Sequence, residues 1–189
     1  MTRPRVPLRE LVENPDLAAL ARSPSVELLA GELAHQPLPS TGVVAAVVEL
    51  AAAMDQQAVG LRVGVRDAFA FEPSDLLRPE ISVARPPLVP ILRLAPAAAC
   101  LVLAVLVADR MELAQQRLRR CAAAGVVEVW VVAVEERSGA AFTDPREGRY
   151  RRRELLLPGE AFAPGDAPWL RVVPVAAPRD APKPVPVFA

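Results

Sequence analysis

The run Cys100-Leu-Val-Leu-Ala-Val-Leu-Val107, followed by Ala108-Asp-Arg-Met-Glu112 and, past Gly125, by Val126-Val-Glu-Val-Trp-Val-Val-Ala-Val134, decides the fold. An unbroken apolar run of strand length is what a strand covered on both faces requires. Asp109 and Glu112 stand at capping-box spacing ahead of a helix predicted over 111–124, which Gly125 would close. The second apolar run is another buried strand. Strand, helix and strand with short joins form a βαβ unit, whose strands lie parallel through a right-handed crossover. The fold class is α/β, a central mixed sheet with the 111–124 helix as crossover.

Working outward, Val26-Glu-Leu-Leu and Glu32-Leu-Ala-His flank Ala30-Gly31 and read as a tight hairpin. Ser40 or Thr41 caps a helix from 42 to about 57, with Val43, Ala46, Val47 and Leu50 along one face. Leu61, Val63 and Val65, then Ala68 and Ala70, alternate as a second hairpin over 60–71. Glu80-Ile-Ser-Val-Ala is a short strand entered through Pro79, and Pro7–Glu13 a short opening helix. Residues 140–143 and 150–157 read as later, more exposed strands. One domain over 1–170 and a proline-rich tail over 171–189 are expected, with no internal repeat.

Composition narrows the classes. With 189 residues, 52% of them hydrophobic, the chain has enough apolar surface for a packed core. Its 22 basic residues balance 22 acidic ones, which argues against coating nucleic acid or anionic membrane by bulk charge. Two cysteines exclude a disulfide scaffold, and the single histidine, His35, excludes a histidine-rich metal site. Lys183 is the only lysine and lies in the tail, so nearly all positive charge is arginine, which does not give up its proton. The apolar stretch 94–108 is too short and too interrupted, by Pro96, to span a bilayer. Met1–Glu10 carries Arg3, Arg5 and Arg9 with no apolar run behind them, so no signal peptide is read and a cytoplasmic location is the expectation.

The strings Val26-Glu-Leu-Leu-Ala-Gly-Glu-Leu, Pro79-Glu80, Leu101-Val-Leu-Ala-Val-Leu and Ala122-Ala-Ala-Gly-Val-Val-Glu-Val-Trp130 fall in an order and spacing that resembles the Uma-two family of restriction endonucleases, within the PD-(D/E)XK nuclease superfamily. The resemblance covers about residues 8–170 and implies a restriction-endonuclease-like fold, with the N-terminal helix and hairpins added to the central sheet. It also implies a homodimer and DNA as partner. Carboxylates in that superfamily hold one or two Mg²⁺ ions that activate water, helped by a lysine. On this chain the resemblance places the first carboxylate at Glu27, the second at Glu80, the third at Ala104 and the lysine at Arg117.

Two of those four positions have lost their chemistry. Ala104 offers a metal no oxygen, and Arg117 keeps charge without serving as a base at neutral pH. Glu80 and Glu27 alone would hold Mg²⁺ weakly, so no tightly bound cofactor is expected, and Mg²⁺ only if the protein is active. Asp109 and Glu112 lie just past the apolar strand as replacement ligands or, more simply, as the helix cap. Cys100 and Cys121 read as packing residues, His35 as a structural histidine and Trp130 as sheet packing. Arg110, Arg117, Arg119 and Arg120, and Arg146, Arg149 and Arg151–Arg153, form two basic clusters suited to DNA phosphates. Three readings stay open: a nuclease-fold protein gone silent, a Mg²⁺-dependent DNA endonuclease with a non-canonical ligand such as Asp109, and a structural or protein-interaction module using the sheet edge and tail.

Overall fold

The computed structural model describes residues 6–7, 10, 13–23, 25–29, 31–71, 75–86 and 100–175. In chain order the elements are α1 (Pro15–Arg22), β1 (Val26–Leu29), β2 (Glu32–His35), α2 (Thr41–Asp55), β3 (Arg62–Val65), β4 (Phe69–Phe71), β5 (Asp75–Leu77) and β6 (Ile81–Ala84). There follow β7 (Leu101–Ala108), a 3-10 turn (Met111–Ala114), α3 (Gln115–Ala123), β8 (Glu128–Ala133), β9 (Ser138–Arg146) and β10 (Arg149–Leu155).

Two sheets result. The larger has the order β10-β9-β8-β7-β6-β3, and the smaller β2-β1-β5-β4. The large sheet is mixed: β7 and β8 are parallel, with Ala104 beside Val129 and Ala108 beside Ala133, while its other pairs are antiparallel. The βαβ unit is therefore as the apolar runs imply. A Schellman closure ends its helix: Gly125, at φ +75, donates to the Ala122 carbonyl, and Val126 donates to that of Cys121.

Strand alternation divides the core between the two faces of the sheet. Leu103, Val105 and Val107 of β7, with Trp130 and Val132 of β8, pack under Val43, Val47, Leu50 and Met54 of α2. Ala104 and Leu106, with Val129 and Val131, pack against Leu118 and Cys121 of α3 and against Leu29, Phe69 and Leu77 of the small sheet. The small sheet and α3 thus share one face, and the candidate site lies between them. Ser40 caps α2 by accepting from the Val43 amide at 3.1 Å. Among the described residues no helix is long and apolar enough to cross a membrane.

Two expectations change. Residues 60–71 form two strands but not a hairpin: β3 pairs with β6, and β4 with β5 in the other sheet. Arg66 takes the left-handed conformation, φ 58, and its amide donates to the Glu80 carbonyl, turning the chain out of the first sheet. The Asp109/Glu112 capping box does not form. The Asp109 carboxylate accepts from the Ser40 hydroxyl at 2.5 Å, Arg110 opens the segment without a side-chain cap, and the first turn winds as 3-10. The Met111 amide, left without that cap, donates to Glu136 at 3.3 Å. Past residue 170, Val172 bridges to Phe162, and Val172 and Val175 are buried. The rest of the predicted tail, and most of the predicted opening helix, lie outside the described residues.

Candidate functional site: a buried Glu–Arg–Glu cluster

Glu27, Glu80 and Arg117 meet. Alternation along β1 sends Leu28 toward a satellite cluster near α1 and leaves Glu27 and Leu29 facing α3. Glu80 stands immediately before β6, after the turn at Pro79. Arg117 lies on the buried stripe of its helix with Ala114, Leu118, Cys121 and Ala122, the spacing of an apolar face into which one charge has been set. The three side chains are almost completely removed from solvent, with Glu27 at 0% exposure, Glu80 at 6% and Arg117 at 9%.

The Arg117 guanidinium bridges the two carboxylates. Its Nη1 is 2.9 Å from both oxygens of Glu80, and its Nη2 is 3.0 Å from Glu27 Oε1 while also donating to the Arg78 carbonyl. The remaining lone pairs are taken up nearby. Glu27 Oε1 accepts from the Arg78 amide at 2.8 Å, and Oε2 from Gln36 Nε2 at 2.6 Å. Glu80 Oε1 accepts from Arg66 Nη1 at 2.7 Å, and Oε2 from the Val107 amide of β7 at 3.1 Å. Arg78, itself buried, ties back to the Val26 and Arg66 carbonyls through Nε and Nη1. Arg117 Nε is buried without a hydrogen-bond partner.

Burial opposes the charge on Arg117, and the Glu80 and Glu27 carboxylates more than offset it, so its pKa is raised and the guanidinium stays charged. Arg78 is lowered, by burial first and then by Arg66. Cys121, one helical turn from Arg117, is pushed up to about 12 by burial, against the pull of Arg117. It is a packing thiol and not a nucleophile.

Ala104 is buried opposite Ser82, on the α3 face of β7 that the cluster occupies. Asp109 is on the other face, engaged with Ser40 at the start of α2, and the structure does not bring it to Glu27 and Glu80. His35 is exposed at the end of β2, and Cys100 is only partly buried. Arg66 and Arg78 were not singled out from the sequence. The available signal was an arginine directly before Pro79-Glu80, in a run of apolar residues that had to be buried.

Residues 12–173 match the family profile described as "Putative restriction endonuclease", Uma2. The chain belongs to the Uma2 family. A crystal structure from Anabaena variabilis ATCC 29413, titled as a putative nuclease belonging to DUF820, superposes with a TM-score of 0.66. That match spans 89% of this chain and 95% of the other at 16% identity, and it shows the shared nuclease fold. A search of curated proteins finds no match.

Uma2 membership raises the question whether this centre suits Mg²⁺. The donor set does not fit one. All four carboxylate oxygens of Glu27 and Glu80 already accept hydrogen bonds, four of them from guanidinium nitrogens, and Ala104 supplies no further oxygen. Three arginines, Arg66, Arg78 and Arg117, surround the two carboxylates, so an added dication would enter a region whose negative charge, with Asp67 near Arg78 included, is already balanced by guanidinium groups. Among the described residues no three His, Cys, Asp or Glu side chains come together as a metal group.

Proposed function

We propose that this Uma2 protein is a nuclease-fold protein that does not cut, its hydrolytic centre having become a structural ion cluster of Glu27, Glu80 and Arg117. The observation that carries the reading is the Arg117 guanidinium held by both carboxylates at 2.9 to 3.0 Å; the family resemblance, which assigns the third carboxylate to the position of Ala104, supports it. An arginine there supplies permanent positive charge. It neither vacates the site nor deprotonates a water. What the three side chains do instead is join β1, the β5–β6 turn and α3, drawing the small sheet onto the large one.

The test is a Mn²⁺ or Mg²⁺ titration followed by thermal unfolding. A site with a dissociation constant of about 1 mM would stabilise the fold by about 1.4 kcal/mol at about 10 mM metal. The proposal expects no rise, and a saturable one abolished by Glu80→Gln would overturn it. The reading as an active endonuclease using Asp109 has no supporting contact. Nucleic acid is the partner class that family membership suggests. A cytoplasmic location and a homodimer belong to the same proposal, the latter checked by sedimentation of the full chain.

A further inference from the structure

β10 is the outer edge of the large sheet, and Arg149, Arg151, Arg152 and Arg153 are exposed along it. Beside it runs α3 with exposed Arg119. The two elements are locked by Tyr150, whose hydroxyl donates to the Val126 carbonyl at 2.7 Å just past the helix end. Of these five arginines only Arg151 has an acidic partner, Glu147 at 3.0 Å. Among the described residues Arg119, Arg149, Arg152 and Arg153 have none within ion-pair distance.

Charged side chains on an edge strand also keep sheets from pairing edge to edge. Here the charge is concentrated and predominantly positive. Residues 144–154 hold five arginines against three acids on a chain whose net charge is zero. The Arg153 guanidinium is held 5.9 Å over the Phe142 ring, which in turn packs against Tyr150. A cleft of about 600 Å³ opens along the same edge, where Arg151, Arg152, Arg153 and Phe162 line it together with Glu128 and Glu154. Three strands separate β10 from β6, so at about 4.8 Å per strand this surface lies about 19 Å from the strand that follows Glu80.

We propose that the β10 edge, with Arg119 of α3, is a docking surface for the phosphodiester backbone of nucleic acid, set apart from the former catalytic centre. The proposal rests on the reading of the chain as a nuclease-fold protein that no longer cuts, and gives it a way to hold DNA without cleaving it. Clustered guanidinium groups match phosphate geometry, read no sequence, and bind in a strongly salt-dependent way.

The test uses the full chain, a fluorescein-labelled duplex of about 25 base pairs, chelator, and salt between about 50 and 200 mM, read by anisotropy. With four or more phosphate contacts, log affinity should fall against log salt with a slope of about −3.6 or steeper. The exposed triple variant Arg149→Gln/Arg152→Gln/Arg153→Gln should weaken binding more than about tenfold and flatten the slope by about 2.7. Arg62→Gln, at the opposite edge of the sheet, should change neither. Absence of binding at low salt, or equal binding by the triple variant, would overturn the proposal. Competition by polyglutamate as strong as by DNA would also overturn it, in favour of an acidic protein. Adding Mg²⁺ separates the two readings: cleavage with binding intact sinks the silent site and leaves this surface standing, whereas no binding and no cleavage does the reverse.

Discussion

Replacing Arg117 with methionine removes the charge and keeps most of the apolar stem. It takes away the bonds to Glu80, Glu27 and the Arg78 carbonyl and leaves two carboxylates buried. Removing one partner of a buried ion pair costs about 3–5 kcal/mol, because the remaining charge is stranded. Arg66 still reaches Glu80, and the Arg78 amide still reaches Glu27, so the loss belongs at the lower end, about 3 kcal/mol. At about 2–4 °C per kcal/mol for a domain of this size, the melting temperature should fall by about 6–12 °C. Urea unfolding followed by tryptophan fluorescence reads the change, since Trp130 is fully buried. The pairing itself is tested by the double variant Glu80→Gln/Arg117→Met, which should cost at least about 0.5 kcal/mol less than the sum of the single changes. Arg117→Met within about 0.5 kcal/mol of the native protein, or strict additivity in the double variant, would refute a structural role for the cluster.

Other consequences are checked separately. Burial raises the Glu128 pKa, against hydrogen bonds from the Gly165 amide at 2.8 Å and the Trp130 indole at 2.6 Å. The folded state therefore holds this proton more tightly than the unfolded chain, and the contribution to stability is full at low pH and lost as pH rises through the window just above the ordinary glutamate range. Glu128→Gln should remove that decline, and identical slopes of stability against pH for the two proteins would contradict the assignment. Cys121, buried with its pKa near 12, should resist maleimide in the native protein and react on unfolding, as peptide mapping would show; rapid native labelling would argue against the packing described. A methyl group at Gly139 would meet Val175 Cγ2 at 2.9 Å and the Val131 carbonyl at 3.1 Å, so Gly139→Ala should lower stability by about 1–3 kcal/mol in chemical unfolding. No loss there would mean that the chain around Val175 does not pack as described.

What was legible in the sequence was what periodicity and local chemistry control. The two apolar runs gave β7 and β8, Ser40 gave the start of α2, and Gly31 lay between β1 and β2. What failed depended on contacts between distant segments. Alternation at 61–70 showed strands but not partners, because the turn at Arg66 is stabilised by Glu80, fourteen residues on. The capping pattern at Asp109 was a sound local reading overridden by Ser40, sixty-nine residues earlier. Glu27, Glu80 and Arg117 were reached through the family resemblance. That Arg117 spans both carboxylates could not be read from spacing, since it depends on how closely α3 packs against β1 and the β5–β6 turn. One clue was available: Arg117 interrupts the stripe Ala114, Leu118, Cys121, where an unpaired charge would not be tolerated.

The central claim is that a Glu–Arg–Glu cluster has replaced a hydrolytic centre. Its most direct test is nicking of supercoiled plasmid and cutting of single-stranded DNA by the purified full chain, in Mg²⁺ or Mn²⁺ and in chelator, beside a Glu80→Gln preparation made identically. The account predicts no metal-dependent cleavage above the level of that variant, whereas metal-dependent cleavage that Glu80→Gln abolishes would contradict it.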